Sequence, residues 1–418
     1  MFSDIIRNIQ SFIDTALWIV VPFILLLLFL DLWLFYRRAR YRNSLKWKVL
    51  ELRIPKEVIK SPKAMEQVFA AAHNIWSFGI NRTEKWWQGK VEPWTSFELV
   101  GRGQGVHFFM RVEENFRNTI ESAIYAQYPD AEISEVPDYI QDFSPFLPDK
   151  NYNLFGSEFI LAKDDGYPIL TYPNFEERAA RFEEGKIDPM AQIMEIMSNL
   201  KPSESLWIQI ILRRANEDWK KKAEAEVAKL QGKKTSSGGV KIPGAFLFEG
   251  TGEFLGNLVT APVQYPTWGE PVKSGEEKKP DGGGKQKIVE AIETKISKLG
   301  FESVIRLVYI DRIDTFTRAN FVAAVSSFFQ FSAPSLNAFK LNAKKTTFGK
   351  GLFKKFMARR RQRLLYDNYR IRHFPKKFYI LNTEELATIY HPPLTGVKAV
   401  RLRRTEFKRG GPPADLPI

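Results

Sequence analysis

The chain contains no cysteine among its 418 residues. Disulfides, thiolate nucleophiles and cysteine-ligated zinc or iron–sulfur sites are thereby excluded, and the composition suits a reducing compartment. Histidine is nearly as scarce. The four copies, His73, His107, His373 and His391, are scattered, with no His-x-x-x-His pair and no HExxH metal motif. No Gly-x-Ser-x-Gly elbow occurs. Gly232-Lys233-Lys234-Thr235 lacks the upstream glycine that a P-loop requires. Gly101-Arg102-Gly103-Gln104-Gly105 has the look of a phosphate loop, but a strand pattern follows it where a helix is needed, so it reads as a hairpin turn. The acidic pairs 164–165, 176–177 and 183–184 fall in polar connections and read as solvated surface. The expectation is a protein without catalytic residues, metal or cofactor.

Acidic residues are outnumbered, 48 against 62 basic, leaving a net charge of +14. That balance favours contact with nucleic acid or anionic lipid and is silent on fold.

One long uncharged run is present. From Thr15 to Leu30 there is no charge, and after Asp31 the segment Leu32-Trp33-Leu34-Phe35-Tyr36 completes about 22 residues, enough for a helix to cross the hydrocarbon. Asp31 lies near one end, where a carboxylate reaches the headgroups at modest cost. Trp18, Trp33 and Tyr36 fall at interface depths. Arg37, Arg38, Arg40 and Arg42 follow at once, whereas the preceding tail has Arg7 offset by Asp4 and Asp14. The positive-inside rule then predicts a single-pass anchor in the inner membrane, with residue 37 onward cytoplasmic. A cleaved signal peptide is the weaker alternative, because the leading region is not basic and no small-residue cleavage site follows. The expected interface residues are Trp18, Trp33, Tyr36, Arg37, Arg38 and Arg40.

The pattern beyond the anchor predicts an α+β protein. Alternation marks a strand over 45–54, and Ser61-Pro62 opens a helix as N-cap and first helical residue. A hairpin spans 97–112, a helix 113–128 and a strand 131–136. The order β-α-β-β-α-β is ferredoxin-like. The second half repeats it in stretched form: a strand at 157–163, a helix at 188–200, a strand at 206–213, an Ala/Glu/Lys helix to about 230, a helix at 287–299, a strand at 301–311, a helix at 315–329 and a short strand near 336–341. The expected division is an anchor at 1–44, ferredoxin-like domains at 45–140 and 150–343, and a terminal region at 344–418. The second domain carries a Gly/Pro/Lys-rich, flexible insertion at 231–287. Within that insertion, 240–268 is apolar and reads as packed on its own domain.

Cations then concentrate between residues 344 and 377, among them Lys354, Lys355, Arg359, Arg360, Arg361, Arg363, Arg370 and Arg372, interleaved with Phe348, Phe353, Phe356, Tyr366, Tyr369, Phe374 and Phe378. Three readings stay open: a nucleic-acid surface where rings stack on bases, an amphipathic helix on anionic lipid, and a connecting helix whose rings pack inward. Asn382-Thr383-Glu384-Glu385 starts a short capped helix, and 410–418 has linker composition.

Several segments are similar to one known region: Leu50-Glu51-Leu52-Arg53-Ile54-Pro55-Lys56, Ser61-Pro62-Lys63-Ala64-Met65-Glu66-Gln67-Val68-Phe69, Ile124-Tyr125-Ala126-Gln127-Tyr128-Pro129-Asp130-Ala131-Glu132-Ile133, Leu206-Trp207-Ile208-Gln209-Ile210, Leu336-Asn337-Ala338-Phe339 and 381–393. The chain, over about residues 10–417, resembles the membrane-anchored N-terminal part of type IV secretion and conjugative DNA-transfer ATPases and coupling proteins of uncultivated bacteria. In those proteins a proline-rich joint like 412–417 leads into a RecA-like motor, and no P-loop follows here up to Ile418. The resemblance therefore implies the anchor-and-adaptor half, with the motor on a separate polypeptide or on a longer form of this one. Expected partners are membrane lipid, a RecA-like ATPase in trans, further copies of the chain in a ring, and DNA. The resemblance supplies no catalytic residue.

Overall fold

A computed structural model of the protein describes residues 2–55, 60–75, 79–103, 105–181, 187–231, 282–349, 353–394 and 404–405. The apolar segment 240–268 and the proline-rich 410–418 lie outside the described residues.

Helix α1 (Phe2–Ser44) runs unbroken through Pro22. Its Val20–Ser44 portion is long and apolar enough to cross a membrane, and none of its most apolar stretch is covered by the rest of the protein. At 1.5 Å per residue, positions 37–44 carry the helix about 12 Å past Tyr36, so a short cationic stalk continues the apolar stretch.

Two residues later the chain enters β1 (Trp47–Pro55). There follow α2 (Lys63–Ile75), β2 (Thr95–Arg102), β3 (Gly105–Glu113), α3 (Arg117–Gln127) and β4 (Glu132–Glu135). The second half comprises β5 (Tyr152–Leu161), α4 (Tyr172–Arg181), α5 (Ala191–Ser198), β6 (Ser205–Arg214), α6 (Asp218–Leu230), α7 (Gly282–Ser297), β7 (Gly300–Arg312), α8 (Ala319–Ser327) and β8 (Phe339–Leu341). Last come α9 (Lys354–Arg370), β9 (Tyr379–Asn382), α10 (Thr383–Ile389) and β10 (Arg404–Thr405).

The ten strands among the described residues belong to one sheet, ordered β10-β1-β3-β2-β6-β7-β5-β8, with β4 also on β1 and β9 also on β7. Every pairing is antiparallel except β1–β10. The stretches expected as separate domains share this sheet, joined where β2 runs antiparallel to β6 from Thr95↔Leu212 to Arg102↔Ser205. Nothing local in either strand announces the partner, because two half-buried apolar strands satisfy the pairing rules with many neighbours.

One face of the sheet is covered by helices. Leu50, Phe97, Met110, Ile210, Leu212 and Ile305 meet Val68 and Phe69 of α2, Ile124 of α3, Met194 of α5, Phe321 of α8 and Leu386 of α10 in the main core. The opposite face carries Val49, Val100, Phe109, Trp207, Val308 and Ile310 under the segment Tyr139–Leu147 and under Leu365, Tyr366 and Tyr369 of α9. Helices α6 and α7 form a separate apolar pair through Ala223, Val227, Val289 and Ile292.

Element boundaries differ modestly from the sequence pattern. The strand expected at 157–163 is Tyr152–Leu161, because Leu154 and Phe155 already alternate into the two cores. The helix expected from 113 begins after a 3-10 turn, at Arg117. Helix α7 starts at Gly282, inside the expected insertion.

Candidate functional site

The cationic run between 344 and 377 folds into α9 and two flanking connections, and the fold divides its side chains sharply. Lys354, Lys355, Arg359, Arg360 and Arg363 are exposed, alongside Phe353, Phe356 and Leu364. Leu365, Tyr366 and Tyr369 turn into the sheet, so these tyrosines are unavailable for stacking on a ligand. Arg361 donates to the carbonyls of Thr346 (3.3 Å) and Phe348 (2.7 Å), and Arg370 to that of Pro145 (3.0 Å). Those two act as braces for neighbouring loops. Among the described residues, none of the five exposed cations has a carboxylate partner within ion-pair distance.

Arg372 corrects the sequence reading. Expected as a surface contact, it is 1 % exposed and buried beneath the helix. Its guanidinium lies against Glu98 (Nε 2.9 Å, Nη2 3.0 Å) and Asp138 (Nη1 2.5 Å, Nη2 3.0 Å). The backbone explains the inversion. Arg372 closes α9 with its N–H on the Tyr369 carbonyl while His373 N–H reaches that of Asn368, the Schellman pattern. Its φ is +50°, the left-handed region glycine usually occupies, at a cost of about 1–2 kcal/mol for another residue. The reversal of direction aims the side chain back under the helix, where the carboxylates hold it.

Beneath α9 a polar row crosses the middle of the sheet. Glu98 of β2, Gln209 of β6, Arg306 of β7 and Glu158 of β5 stand directly opposite one another in register. Glu98 accepts five hydrogen bonds, from Ser96, Tyr139, Gln209 and two atoms of Arg372. Gln209 accepts from Arg306 (3.0 Å), and Arg306 Nε donates to Glu158 (3.0 Å), which also pairs with Lys345. Carbonyls of the α9 terminus complete the set: Tyr369 O receives Gln209 at 3.1 Å and His373 O receives Arg306 at 2.5 Å. Three carboxylates (Glu98, Asp138, Glu158) thus balance three cations (Arg306, Lys345, Arg372). Burial alone would raise the Glu98 carboxyl, but Arg372, Ser96 and Tyr139 outweigh it and hold it below the ordinary value. The row fastens α9 to the sheet by charge and hydrogen bonds where an apolar seam would serve packing alone.

The predicted interface residues lie along α1, with Trp18 near the start of its apolar stretch and Trp33, Tyr36, Arg37, Arg38 and Arg40 at or beside the stalk. Trp18, Tyr36 and Arg40 are exposed. Trp33 instead stacks on Phe29 and meets Trp87 edge-on at 6.4 Å, while Arg37 donates to the Trp87 carbonyl. Trp87 belongs to a single π-turn (Glu84–Gln88) that the sequence pattern did not reveal. The turn ends at Gly89 with φ +69°, where a Cβ would lie 2.3 Å from the Arg37 carbonyl carbon. Arg38 faces a cleft of about 1160 Å³ between α1 and the sheet.

Two further buried contacts between ionisable side chains lie away from α9. Lys295 and Glu385 are 3.0 Å apart, both fully buried, and Glu385 also closes the capping box of α10 with Asn382. His391 meets Asp188 at 3.1 Å. Among the described residues no three His, Asp or Glu side chains converge as metal ligands. No protein-family model matches the chain, and no curated protein is detectably similar to it.

Proposed function

We propose that the protein is a membrane-anchored, non-catalytic assembly component of a type IV secretion-like DNA-transfer machine, docking a RecA-like ATPase beneath the inner membrane. In this reading α1 spans the bilayer and residue 37 onward is cytoplasmic. The two halves are then ferredoxin-like units fused edge to edge: the first runs β-α-β-β-α-β, the second keeps that strand order with an extra helix before β6 and the α6–α7 pair between β6 and β7, and the strand orders β4-β1-β3-β2 and β8-β5-β7-β6 are equivalent. The machine itself rests on the sequence resemblance.

One observation carries the adaptor reading. In the interior Glu98, Glu158, Lys295, Arg306, Arg372 and Glu385 are engaged with one another, whereas the cations along the outer side of α9 are exposed beside Phe353 and Phe356 and have no carboxylate partner among the described residues. Such a molecule offers surfaces to partners. Affinity capture of the tagged full chain from solubilised membranes, read by mass spectrometry, tests it. The expected result is co-purification of a RecA-like ATPase together with further copies of the chain. Recovery of neither removes the reading.

The exposed face of α9 also favours a second reading, direct binding of single-stranded nucleic acid. Five unpaired cations beside Phe353 and Phe356 combine backbone charge with stacking surface. Substituting Lys354, Lys355, Arg359, Arg360 and Arg363 with glutamine, while keeping the brace Arg361, should lower the slope of log K against log salt by about 0.7 per lost phosphate contact. An unchanged slope would exclude α9.

A further inference from the structure

The cleft beside the stalk has an unusual gradient. Its wall on α1 runs from Leu28 to Asn43, about 22 Å along the helix axis. The upper part, Leu28, Leu32 and Phe35, is apolar and belongs to the span. The lower part gathers six cations: Arg38 and Arg42 of the stalk, Arg111 of β3, Arg213 of β6, Arg370 at the end of α9, and Lys376 beyond it. The lining acids are two. Asp31 sits at the apolar end, about 10 Å above Arg38 along the helix, and Glu92 lies 3.9 Å from Arg213.

Arg213 pairs with Glu302, and Arg370 with a carbonyl. Among the described residues the other four cations, Arg38, Arg42, Arg111 and Lys376, have no carboxylate within ion-pair distance. Arg111 is the most telling. It is half-buried, stacked 4.0 Å above the Trp47 ring, and burial together with nearby Arg372 pulls its pKa down to about 10. Glu98 and Asp138 offset this in part, but neither is within ion-pair distance, so an anion arriving in the cleft would meet a desolvated guanidinium. The Trp94 indole N–H, at the same wall, is buried without an acceptor.

We propose that this cleft binds an anionic phospholipid of the leaflet from which the stalk emerges, its phosphate between Arg38, Arg42, Arg111 and Lys376 and an acyl chain along Leu28, Leu32 and Phe35. The proposal rests on the reading that α1 spans the membrane, and it is independent of the ATPase. Charge complementarity and continuity with the bilayer select the occupant. A free phosphate would leave the apolar wall wet, and a nucleic-acid strand would have to run into the hydrocarbon.

The test uses the detergent-solubilised full chain, equilibrated with equal phosphatidylglycerol and phosphatidylcholine and read by native mass spectrometry. The expected result is selective retention of one phosphatidylglycerol, weakened about fivefold for each cation removed in Arg38→Gln and Arg111→Gln. Lys376→Glu, at an exposed position, reports on the same site should Arg111→Gln fail to fold. Lys354→Gln/Lys355→Gln on α9 should retain lipid unchanged. Equal retention of both lipids, retention indifferent to the cleft substitutions, or displacement by millimolar glycerol phosphate overturns the proposal. Extraction of the chain from membranes by alkaline carbonate would sink the spanning reading first. Lipid retention without ATPase capture would sink the adaptor reading and leave the cleft standing.

Discussion

Replacing Arg372 with alanine should be among the most damaging single changes available in this chain. The substitution removes four charge-assisted contacts and leaves Glu98, itself 0 % exposed, with only Ser96, Gln209 and Tyr139 as donors. Removing one partner of a buried ion pair costs about 3–5 kcal/mol. With an m-value of roughly 3 kcal/mol/M, the urea midpoint should fall by about 1–1.7 M. Tryptophan fluorescence is a suitable probe, since Trp207 packs on Tyr139 and Tyr369 directly over the network. Arg372→Gly loses the same contacts but relaxes the φ of +50°, so it should be milder than alanine by about 1 kcal/mol. The pH dependence gives a sign test. In the native protein the Glu98 carboxyl lies below its ordinary value, so its contribution is present above about pH 4.3 and is lost as pH falls through the depressed value. In Arg372→Ala burial dominates and raises that carboxyl above its unfolded value. The penalty then exists at neutral pH and is relieved on acidification. The gap between native and variant stability should therefore narrow between pH 7 and 4. A gap that stays constant or widens, or an alanine cost below about 1 kcal/mol, would refute the account of the polar row.

Three more expectations follow from the same physics. His73 is buried against Phe301, and burial followed by Arg214 lowers its pKa to about 4; its contribution is present above about pH 6.5 and lost as pH falls toward 4. His73→Gln should flatten acid destabilisation in that window, and an unaltered acid limb counts against it. Lys295→Met should cost about 3–5 kcal/mol by leaving Glu385 alone, and Lys295→Met/Glu385→Gln should recover part of it; strict additivity in the cycle would show that the pair is uncoupled. Gly89→Ala places a methyl on the Arg37 backbone at a left-handed position, so α1 should lift off the π-turn and break the Trp33–Trp87 contact, read as a change in tryptophan emission while sheet unfolding stays in place.

Much of this molecule is legible residue by residue, and its limits are physical. The apolar run before Arg37 declares α1, and alternation at 45–54 and 206–213 marks β1 and β6, because periodicity is a local property. Strand pairing is not local, so the seam between β2 and β6 had no signature. The polar row left a faint one: Glu98, Gln209, Arg306 and Glu158 each interrupt an otherwise apolar strand, at inward positions where a lone charge is costly without a partner. Only the register reveals that they are each other's partners. The cationic run misled at Arg372 for a related reason. Charge predicts exposure on average, but a left-handed helix terminus turned this arginine inward, and no composition rule anticipates that. The π-turn holding Trp87 against Trp33 is likewise invisible to pattern, since its five residues (Glu84–Gln88) carry no repeat.

The junction between α1 and β1 has a consequence for how partners are met. Only Leu45 and Lys46 separate the helix from the strand, and the Trp33–Trp87 and Arg37–Trp87 contacts lock the same corner. A domain on a flexible linker searches a volume, and its effective concentration falls as the linker lengthens. Here, with α1 in a bilayer, the search collapses to translation in a plane and rotation about one axis. Neighbouring copies would approach at equal height and tilt, with the outer strands of their sheets already aligned. Much of the orientational entropy of association is then lost when the helix inserts, before any partner arrives.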